Sequence, residues 1–410
     1  MKKFLIIVMT TIAGFSGNAQ TLEDYFQIAA ENNPGLQAKY KAFEAAMEQI
    51  PQVSSLSDPT FSFGYFISPV ETRVGPQRAR LSLSQMFPWF GTLKAGGDVA
   101  TLNAEAQYQS FLDARNKLYY QVAAAYYPIY ELRRWTALEE KNIEVLESYK
   151  TISTTRFENG EGTLVDVLRV DLLLKDAVTN LEILEKKQKP LLTSFNRLLN
   201  RDEEEEVQIA DSLFVEKHLI GRDSLWIDHP VLNELDLRIK ASEKQEVLAK
   251  KQGLPKLGVG LDYVVVGERT DMSVPDNGQD ALMPMVSVGI PIFRGKYHAA
   301  KKEAQIMQER YSLQKEDRIN QLTSSYEMAV FDRNQQVEFI QLYDEQIAET
   351  QARLESGGAL EQVGVYESIM RTILSIVPTN IVASMTNGDV LPIIFFAIMF
   401  GIGILLAGEA

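Results

Sequence analysis

The sequence predicts a mainly α-helical fold with some β-structure, in which long helical-hairpin coiled coils accompany four strands of a transmembrane β-barrel. Three observations support this fold class. Long stretches rich in Ala, Glu, Lys, Gln and Leu contain few helix-breaking residues. Two short regions alternate apolar and polar residues with the period of a strand. Both patterns occur twice within the 410 residues, which indicates a tandem repeat.

Residues 1–19 have the features of a secretory signal peptide. Two lysines precede an apolar stretch from Phe4 to Phe15, and small residues at positions 17 and 19 form a cleavage site. The stretch is too short for a transmembrane helix. The alternative to a signal peptide is a buried N-terminal helix. We therefore expect an exported protein.

The composition excludes several kinds of chemistry. The chain has no cysteine, which excludes disulfide bonds, cysteine-based metal sites and thiol nucleophiles. Its three histidines (His218, His229 and His298) lie too far apart in sequence to suggest a metal site. The net charge of −14 does not suit nucleic acid, but it suits solubility or a lumen that favours cations. We expect no enzymatic activity, no cofactor and no nucleic-acid partner.

The first repeat occupies residues 20–200 and begins with a helix from Leu22 to about Gln52. Thr21 and Asp24 have the spacing of a capping box at its start. The Asn33-Pro34 pair can interrupt this helix, because the residue before a proline avoids the α region.

Residues 59–90 predict a β-hairpin with a charged, Pro- and Gly-rich loop from Ser68 to Gln77. Apolar residues alternate in both runs: Phe61, Phe63, Tyr65 and Ile67 in the first, and Ala79, Leu81 and Leu83 in the second. Three arginines in or beside the loop (Arg73, Arg78 and Arg80) are interpreted as solvated charges. At the exit of the second strand, Phe87, Trp89 and Phe90 are candidates for an aromatic belt at the membrane interface. Packing at the corner between strand and helix explains them equally well.

A long helical hairpin completes the first repeat. Its first helix runs from about Thr92 to Phe157, and its second begins at the cap Thr163 after the turn Glu158–Gly162. A heptad-like series in the first helix indicates a coiled coil: Leu138, Ile143, Leu146, Tyr149 and Ile152. Pro190 predicts a kink or break in the second helix. Arms of some 40 residues would be about 60 Å long.

The second repeat occupies residues 229–355, after a linker of residues 201–228. The linker contains the acidic run Asp202–Glu206, interpreted as solvated. Pro230 and Pro255 follow Pro34 and Pro59 by the same 196 residues. A second β-hairpin is therefore predicted over residues 255–291, followed by a helix from about residue 299 to 355.

The four predicted strands place apolar side chains on one face and small or polar ones on the other. This pattern is typical of a transmembrane β-barrel, and also of a half-buried sheet in a soluble α+β domain. The export signal and the long polar helices favour the barrel. Four strands cannot close, and the smallest barrels have about eight. Several chains must then share one barrel, and three chains would give about twelve strands.

The order and spacing of five motifs resemble the TolC family of outer membrane efflux proteins over about residues 20–354. The motifs are Asn33-Pro34, Pro59, Phe87-Pro88-Trp89-Phe90-Gly91, Arg156-Phe157-Glu158-Asn159-Gly160 and Leu164-Val165-Asp166-Val167-Leu168. The resemblance implies a homotrimer with a twelve-stranded barrel in outer membrane lipid and an α-helical tunnel across the periplasm. It also implies a periplasmic adaptor (membrane fusion) protein and an inner membrane pump, such as one of the resistance-nodulation-division type. Such a channel is a passive conduit for small molecules or metal ions.

The resemblance further implies a gate at the periplasmic helix tips. Asp166 has the position of an aspartate that bonds neighbouring helices and keeps the tunnel shut. The alternative is a first-turn acid favoured by the helix dipole. The turn residues Asn159, Gly160 and Gly162 are expected to contact the adaptor, although turn chemistry also explains the glycines.

Residues 356–410 do not fit the repeat, which predicts a further glycine turn and a final helix there. Residues 390–408 carry no charge and are long enough for a transmembrane helix. Motifs such as Ile376-Val377-Pro378-Thr379-Asn380 resemble a fragment of the dicarboxylate/amino acid:cation symporter family over about residues 366–410. The alternatives to a working channel are a truncated channel joined to a symporter fragment and a membrane-anchored periplasmic coiled-coil scaffold. Without the final helix we expect a weak trimer.

Overall fold

The computed structural model of the chain describes residues 21–210, 213 and 221–355. The chain divides into two compact units, residues 1–326 and 327–410. The described part of the second unit is the end of one long helix. The predicted signal peptide (1–19), His218 and the hydrophobic tail (356–410), with its possible transmembrane helix at 390–408, lie outside the described residues. Among the helices that are described, none combines the length and the apolar character needed to cross a membrane.

The described elements follow the predicted order of helix, hairpin and long helix, given twice. They are α1 (Leu22–Asn32), α2 (Pro34–Ser54), β1 (Thr60–Thr72), β2 (Gly75–Phe87), α3 (Thr92–Glu158), α4 (Leu164–Leu198), α5 (Arg222–Ile227), α6 (Pro230–Gln252), β3 (Lys256–Val266), β4 (Ala281–Gly289) and α7 (Gly295–Glu355). The last helix begins about four residues earlier than predicted.

Asn33 separates α1 from α2, as the Asn-Pro pair predicts. Its backbone is extended, with φ −67° and ψ 118°. Its side-chain oxygen accepts a hydrogen bond from the Leu36 amide at 3.1 Å and so caps α2. Its side-chain nitrogen donates to the Leu198 carbonyl at 2.9 Å, at the end of α4. The break therefore also holds the first helices against the end of the helical hairpin.

The four strands form one antiparallel sheet in the order β1-β2-β3-β4. Both predicted hairpins are present, and they join through β2 and β3. The prediction of a loop from Ser68 to Gln77 was wrong, because the strands continue through most of it to a turn at Arg73 and Val74. The second hairpin extends them: the Gly278 amide donates to the Val74 carbonyl at 2.7 Å, and the Gly267 amide to the Pro76 carbonyl at 2.8 Å.

The helical hairpin of α3 and α4 confirms the predicted turn between them, but the predicted break at Pro190 was wrong. Helix α4 continues through Pro190 to Leu198. The residues after the proline pack into the core: Phe195 is fully buried, and Leu191 and Leu192 pack against the same cluster. This burial offsets the hydrogen bond that the proline cannot make. Helix α3 has 67 residues, so its length is about 100 Å.

An aromatic core holds the first repeat together. Tyr25 of α1, Tyr126 of α3 and Phe195 of α4 are each at most 2% exposed. The rings of Tyr25 and Phe195 meet edge to face, with centroids 5.0 Å apart. The Tyr25 hydroxyl accepts from the Gln208 amide at 2.8 Å, and burial raises the pKa of this phenol. Three helices and the following segment are therefore fixed at one point.

The acidic run Asp202–Glu206 is solvated in most of its side chains, but its backbone is anchored. The fully buried Asn196 donates from its side-chain nitrogen to the carbonyls of Glu203 and Glu205, both at 2.9 Å. Its side-chain oxygen accepts from Arg201 Nε at 2.8 Å. This part of the linker is thus a structured continuation of α4.

In the second repeat, α6 and the first part of α7 are joined by polar contacts. Lys315 Nζ lies 2.6 Å from Asp236 Oδ1, and the Gln308 side chain donates to the Ser242 carbonyl at 3.3 Å. His229 is the N-cap of α6 and precedes a proline, as Asn33 does at the start of α2. The two helices therefore begin in the same way.

We expect Phe195→Ala to lower the free energy of unfolding by about 3–5 kcal/mol, because it removes a fully buried ring from the aromatic core. Urea unfolding of the purified chain in detergent, followed by helical circular dichroism, measures this loss. Gln188→Ala, at an exposed position of the same helix, is the control and should change stability by less than about 0.5 kcal/mol. Equal losses in both variants would contradict the assignment of the core.

Candidate functional site

The sheet has one apolar face that is open to its surroundings. Paired residues in all four strands form it: Phe61, Phe63, Tyr65, Ala79, Leu81, Leu83, Leu261, Tyr263, Leu282 and Val286. All of them except Ala79 and Leu81 are exposed, with 65% for Phe61 and 79% for Val286. A large exposed apolar surface of this kind marks a site of contact with a membrane or another protein.

The opposite, polar face of the sheet carries mostly small and polar side chains, together with a few apolar ones. The small and polar residues are Ser62, Gly64, Arg80, Ser82, Ser84, Lys256, Gly258, Gly260, Asp262 and Ser287, and the apolar ones are Met86, Val264, Met283 and Met285. The predicted alternation between two faces is therefore confirmed. Arg80 is exposed, as its interpretation as a solvated charge requires, but its guanidinium also forms an ion pair with the fully buried Asp262, which the sequence did not indicate.

The predicted interface aromatics occupy the corner between β2 and α3. Phe87 is the last residue of β2, and the rings of Trp89 and Phe90 lie 6.0 Å apart. Phe90 is 76% exposed, whereas Phe87 and Trp89 are half-buried. Gly91, with φ 74°, turns the chain into α3. The corner after β4 exposes Ile292 and Phe293 in the same way. Both corners thus present apolar side chains at the helical end of the sheet.

The turn between α3 and α4 closes on backbone hydrogen bonds. The Asn159 amide donates to Thr155 O at 3.1 Å, and the Glu161 amide to Arg156 O at 2.8 Å. Gly160 has φ 75°, a conformation that favours glycine. A Cβ on Gly162 would lie 3.2 Å from the Cβ of Arg156, so this position also needs a small residue. Turn geometry therefore explains both glycines, and it leaves open what the turn contacts.

Asp166 belongs to a capping box at the start of α4. Its carboxylate accepts from the Thr163 hydroxyl at 2.6 Å and from the Thr163 amide at 3.3 Å. The Asp166 amide donates in return to Thr163 Oγ1 at 3.3 Å. These bonds hold the pKa of Asp166 below its ordinary value. In the single chain the carboxylate caps its own helix, and its side chain is exposed.

An ion pair near the turn was missed in the sequence. Lys150 of α3 and Asp171 of α4 meet with Nζ 2.6 Å from Oδ1, and the hydrogen bond from Lys150 lowers the pKa of Asp171. Opposite charges at equal distances on either side of the turn were the available signal. The pair joins the two arms of the hairpin close to the tip.

Several apolar residues around the same tip are exposed: Phe157, Leu164, Val165, Leu168 and Leu172. Farther along α3, Leu146 of the heptad series is buried, while Leu138 and Ile152 are about half exposed. The apolar seam is thus only partly covered within one chain.

Comparison with known proteins shows what part of the chain resembles. Residues 26–201 match the outer membrane efflux protein family. The outer membrane efflux protein BepC of Brucella suis is 26% identical over 178 residues, which cover 42% of this chain and 39% of BepC. The resemblance to outer membrane efflux proteins is confirmed. The solved structure of CusC has the same fold, with a TM-score of 0.66 and 15% identity over 84% of this chain and 82% of CusC.

The end of the chain matches a different family. Residues 337–410 match the sodium:dicarboxylate symporter family. A proton/glutamate-aspartate symporter of Escherichia coli is 69% identical over 36 residues, which are 9% of this chain and 8% of that protein. The chain thus spans less than half the length of BepC and less than a tenth of the symporter. The symporter match begins within α7, earlier than the resemblance noted in the sequence.

We expect Thr163→Ala to speed amide exchange in the first turn of α4 about fivefold, because losing an N-cap side chain costs about 1 kcal/mol. Hydrogen–deuterium exchange resolved to the tip peptide measures the change. Thr155→Ala is the matched control, since the Thr155 hydroxyl donates only to Thr151 O within α3. Unchanged protection in Thr163→Ala would show that the capping box does not stabilise the tip.

The contribution of the capping box should also depend on pH. Because the folded pKa of Asp166 is lowered, the stabilisation is complete above the unfolded value of about 3.9. It is lost as the pH falls through the lower folded pKa. The difference in exchange between wild type and Thr163→Ala should therefore shrink only in strong acid.

Proposed function

We propose that residues 20–354 form one protomer of an outer membrane efflux channel, exported by the signal peptide at residues 1–19. The channel is a passive conduit for small molecules or metal ions and performs no catalysis. Residues 20–200 and 229–355 are its two repeats, residues 201–228 are the segment between them, and residues 356–410 are a separate tail. The observation that carries the proposal is the sheet with one exposed apolar face and one polar face.

The edges of this sheet support assembly into a barrel. Within the described residues, β1 and β4 each pair with one neighbouring strand. The strands have 9 to 13 residues, which suits the thickness of a bilayer. Lipid cannot satisfy the open backbone groups of an edge strand, so β4 of one copy must pair with β1 of another. Three copies give a closed barrel of about twelve strands with the apolar face toward lipid.

The helices support the rest of the channel. The half-exposed apolar residues of α3 and α4 would be covered by neighbouring copies in a periplasmic α-helical tunnel. The exposed apolar tip, with the turn residues Asn159, Gly160 and Gly162, would dock the periplasmic adaptor of an inner membrane pump, such as one of the resistance-nodulation-division type. The exposed corner aromatics would lie at the membrane interface.

A second candidate is supported by the symporter match at residues 337–410. In that case the chain is a truncated channel joined to a symporter fragment, and it does not assemble into a closed barrel. A membrane-anchored coiled-coil scaffold is disfavoured by the exposed apolar face of the sheet, for which it offers no cover.

Cysteine cross-linking tests the trimer in a chain that has no cysteine of its own. We expect Ser62→Cys in β1, combined in turn with Met283→Cys, Met285→Cys or Ser287→Cys in β4, to form oxidised trimers in at least one combination. The bands should run at about three times the 46.2 kDa chain on denaturing gels of outer membrane fractions. Cross-linking traps even a weak trimer.

The control for this experiment is Ser62→Cys with Ser82→Cys, which face each other within one chain. This pair should close without producing a larger species. Monomers alone from every edge combination, with the control pair closing normally, would support the truncated-channel alternative and contradict the barrel.

The gate is tested at Asp166. If Asp166 also bonds neighbouring helices in the trimer, Asp166→Ala should raise the closed-state conductance in planar bilayers. Thr163→Ala removes the cap but keeps the carboxylate, so it separates gating from capping. Equal conductance in wild type and Asp166→Ala would remove Asp166 from the gate and leave it as a helix cap.

A further inference from the structure

The polar face of the sheet has the opposite sign of charge to the chain as a whole. The chain has a net charge of −14. On the polar face, however, Arg80 and Lys256 are cations and Asp262 is a carboxylate, and Arg78, at the register shift of β2, adds a further exposed cation beside them. Lys256 is exposed and Asp262 is fully buried. The surface that this face offers to solvent is therefore positive.

The ion pair between Arg80 and Asp262 is asymmetric in its exposure. The side chain of Asp262 is 0% exposed, whereas that of Arg80 is 45% exposed. In the β-ladder Arg80 lies opposite Gly64 of β1 and Val264 of β3. Gly64 has no side chain to cover the guanidinium, which stays open to solvent while the carboxylate of Asp262 is enclosed. A solute at this face meets the cation.

The guanidinium also has bonding capacity left. A guanidinium has five N–H donors. The described contacts use one of them, on Nη2, which donates to Asp262 Oδ2. A planar guanidinium held in place can bind the two oxygens of a carboxylate or phosphate group. Its pairing with Asp262 orients it, because the partner is fully buried in a strand of the sheet.

We propose that Arg80 sets a preference for anionic solutes in the barrel lumen and that Asp262 is the residue that positions it. The inference rests on the proposed function, which turns the polar face toward the lumen. In a trimer, three copies of Arg80 lie at one height and form a ring, and rings of arginine or lysine favour anions in pores. The solutes favoured by this ring carry carboxylate, phosphate or sulfonate groups. On this proposal the lumen of this segment favours anions, in contrast to the cation-favouring lumen that the net charge suggests.

The test is the chloride-to-potassium permeability ratio of the purified full chain in planar bilayers, obtained from reversal potentials in a KCl gradient. The helical tunnel contributes to the absolute ratio, so the change between variants is the readout. We expect Asp262→Asn to raise the ratio, because it leaves the guanidinium without its counter-charge. Arg80→Lys should keep the ratio near that of the wild type.

Removing the cation alone would leave Asp262 buried and unpaired, which destabilises a fold. The decisive variant is therefore the double substitution Arg80→Gln with Asp262→Asn, which removes both charges. We expect it to lower the ratio about two- to threefold. Arg73→Gln is the matched control, because Arg73 lies at the exposed turn between β1 and β2 and should leave the ratio unchanged.

The possible results separate this inference from the proposed function. Conducting channels whose ratio is the same in wild type and in the double variant overturn the role of Arg80 and leave the channel standing. An equal fall in Arg73→Gln also overturns it, since the effect would then come from charge at the channel mouth. Absence of conductance in the wild type overturns the channel function and the inference with it.

Discussion

The open edges of the sheet constrain this molecule more than any single side-chain contact. Within the described residues β1 and β4 each pair with one neighbouring strand, so each leaves a row of backbone N–H and C=O groups without a strand beside it. One face of the same sheet exposes apolar side chains. Lipid would cover that face but could not satisfy the edge groups. In the proposed barrel, further copies of the chain supply the missing strands, and assembly follows from the backbone.

Much of this architecture could be predicted from local sequence. Alternation fixed the faces of the strands because side chains in a strand alternate regardless of what the strand pairs with. The Asn33-Pro34 break and the cap at Thr163 were also predictable, since both depend on residues within one turn of each other. Features that depend only on residues close together in sequence can be predicted without the tertiary structure.

The errors share a different physical origin, which is support from distant parts of the chain. The strands continue through Ser68–Gln77 because the second hairpin, some two hundred residues later, donates hydrogen bonds to the first. Helix α4 passes Pro190 because the residues beyond it are buried in the aromatic core. The ion pair of Arg80 was missed because its partner is 182 residues away in sequence. Conversely, Lys150 and Asp171 lie symmetrically about the turn, so their pairing was within reach of the sequence.

Helix α3 connects the corner of the sheet at Gly91 directly to the turn at Asn159 without interruption. A helix of 67 residues is a lever about 100 Å long. Tilting it by about one degree at the corner moves its far end by about 2 Å. This displacement is comparable to the distance from hydrogen to acceptor in a hydrogen bond. In the proposed channel, a small rotation at the sheet end of this helix would therefore become a much larger displacement at the turn.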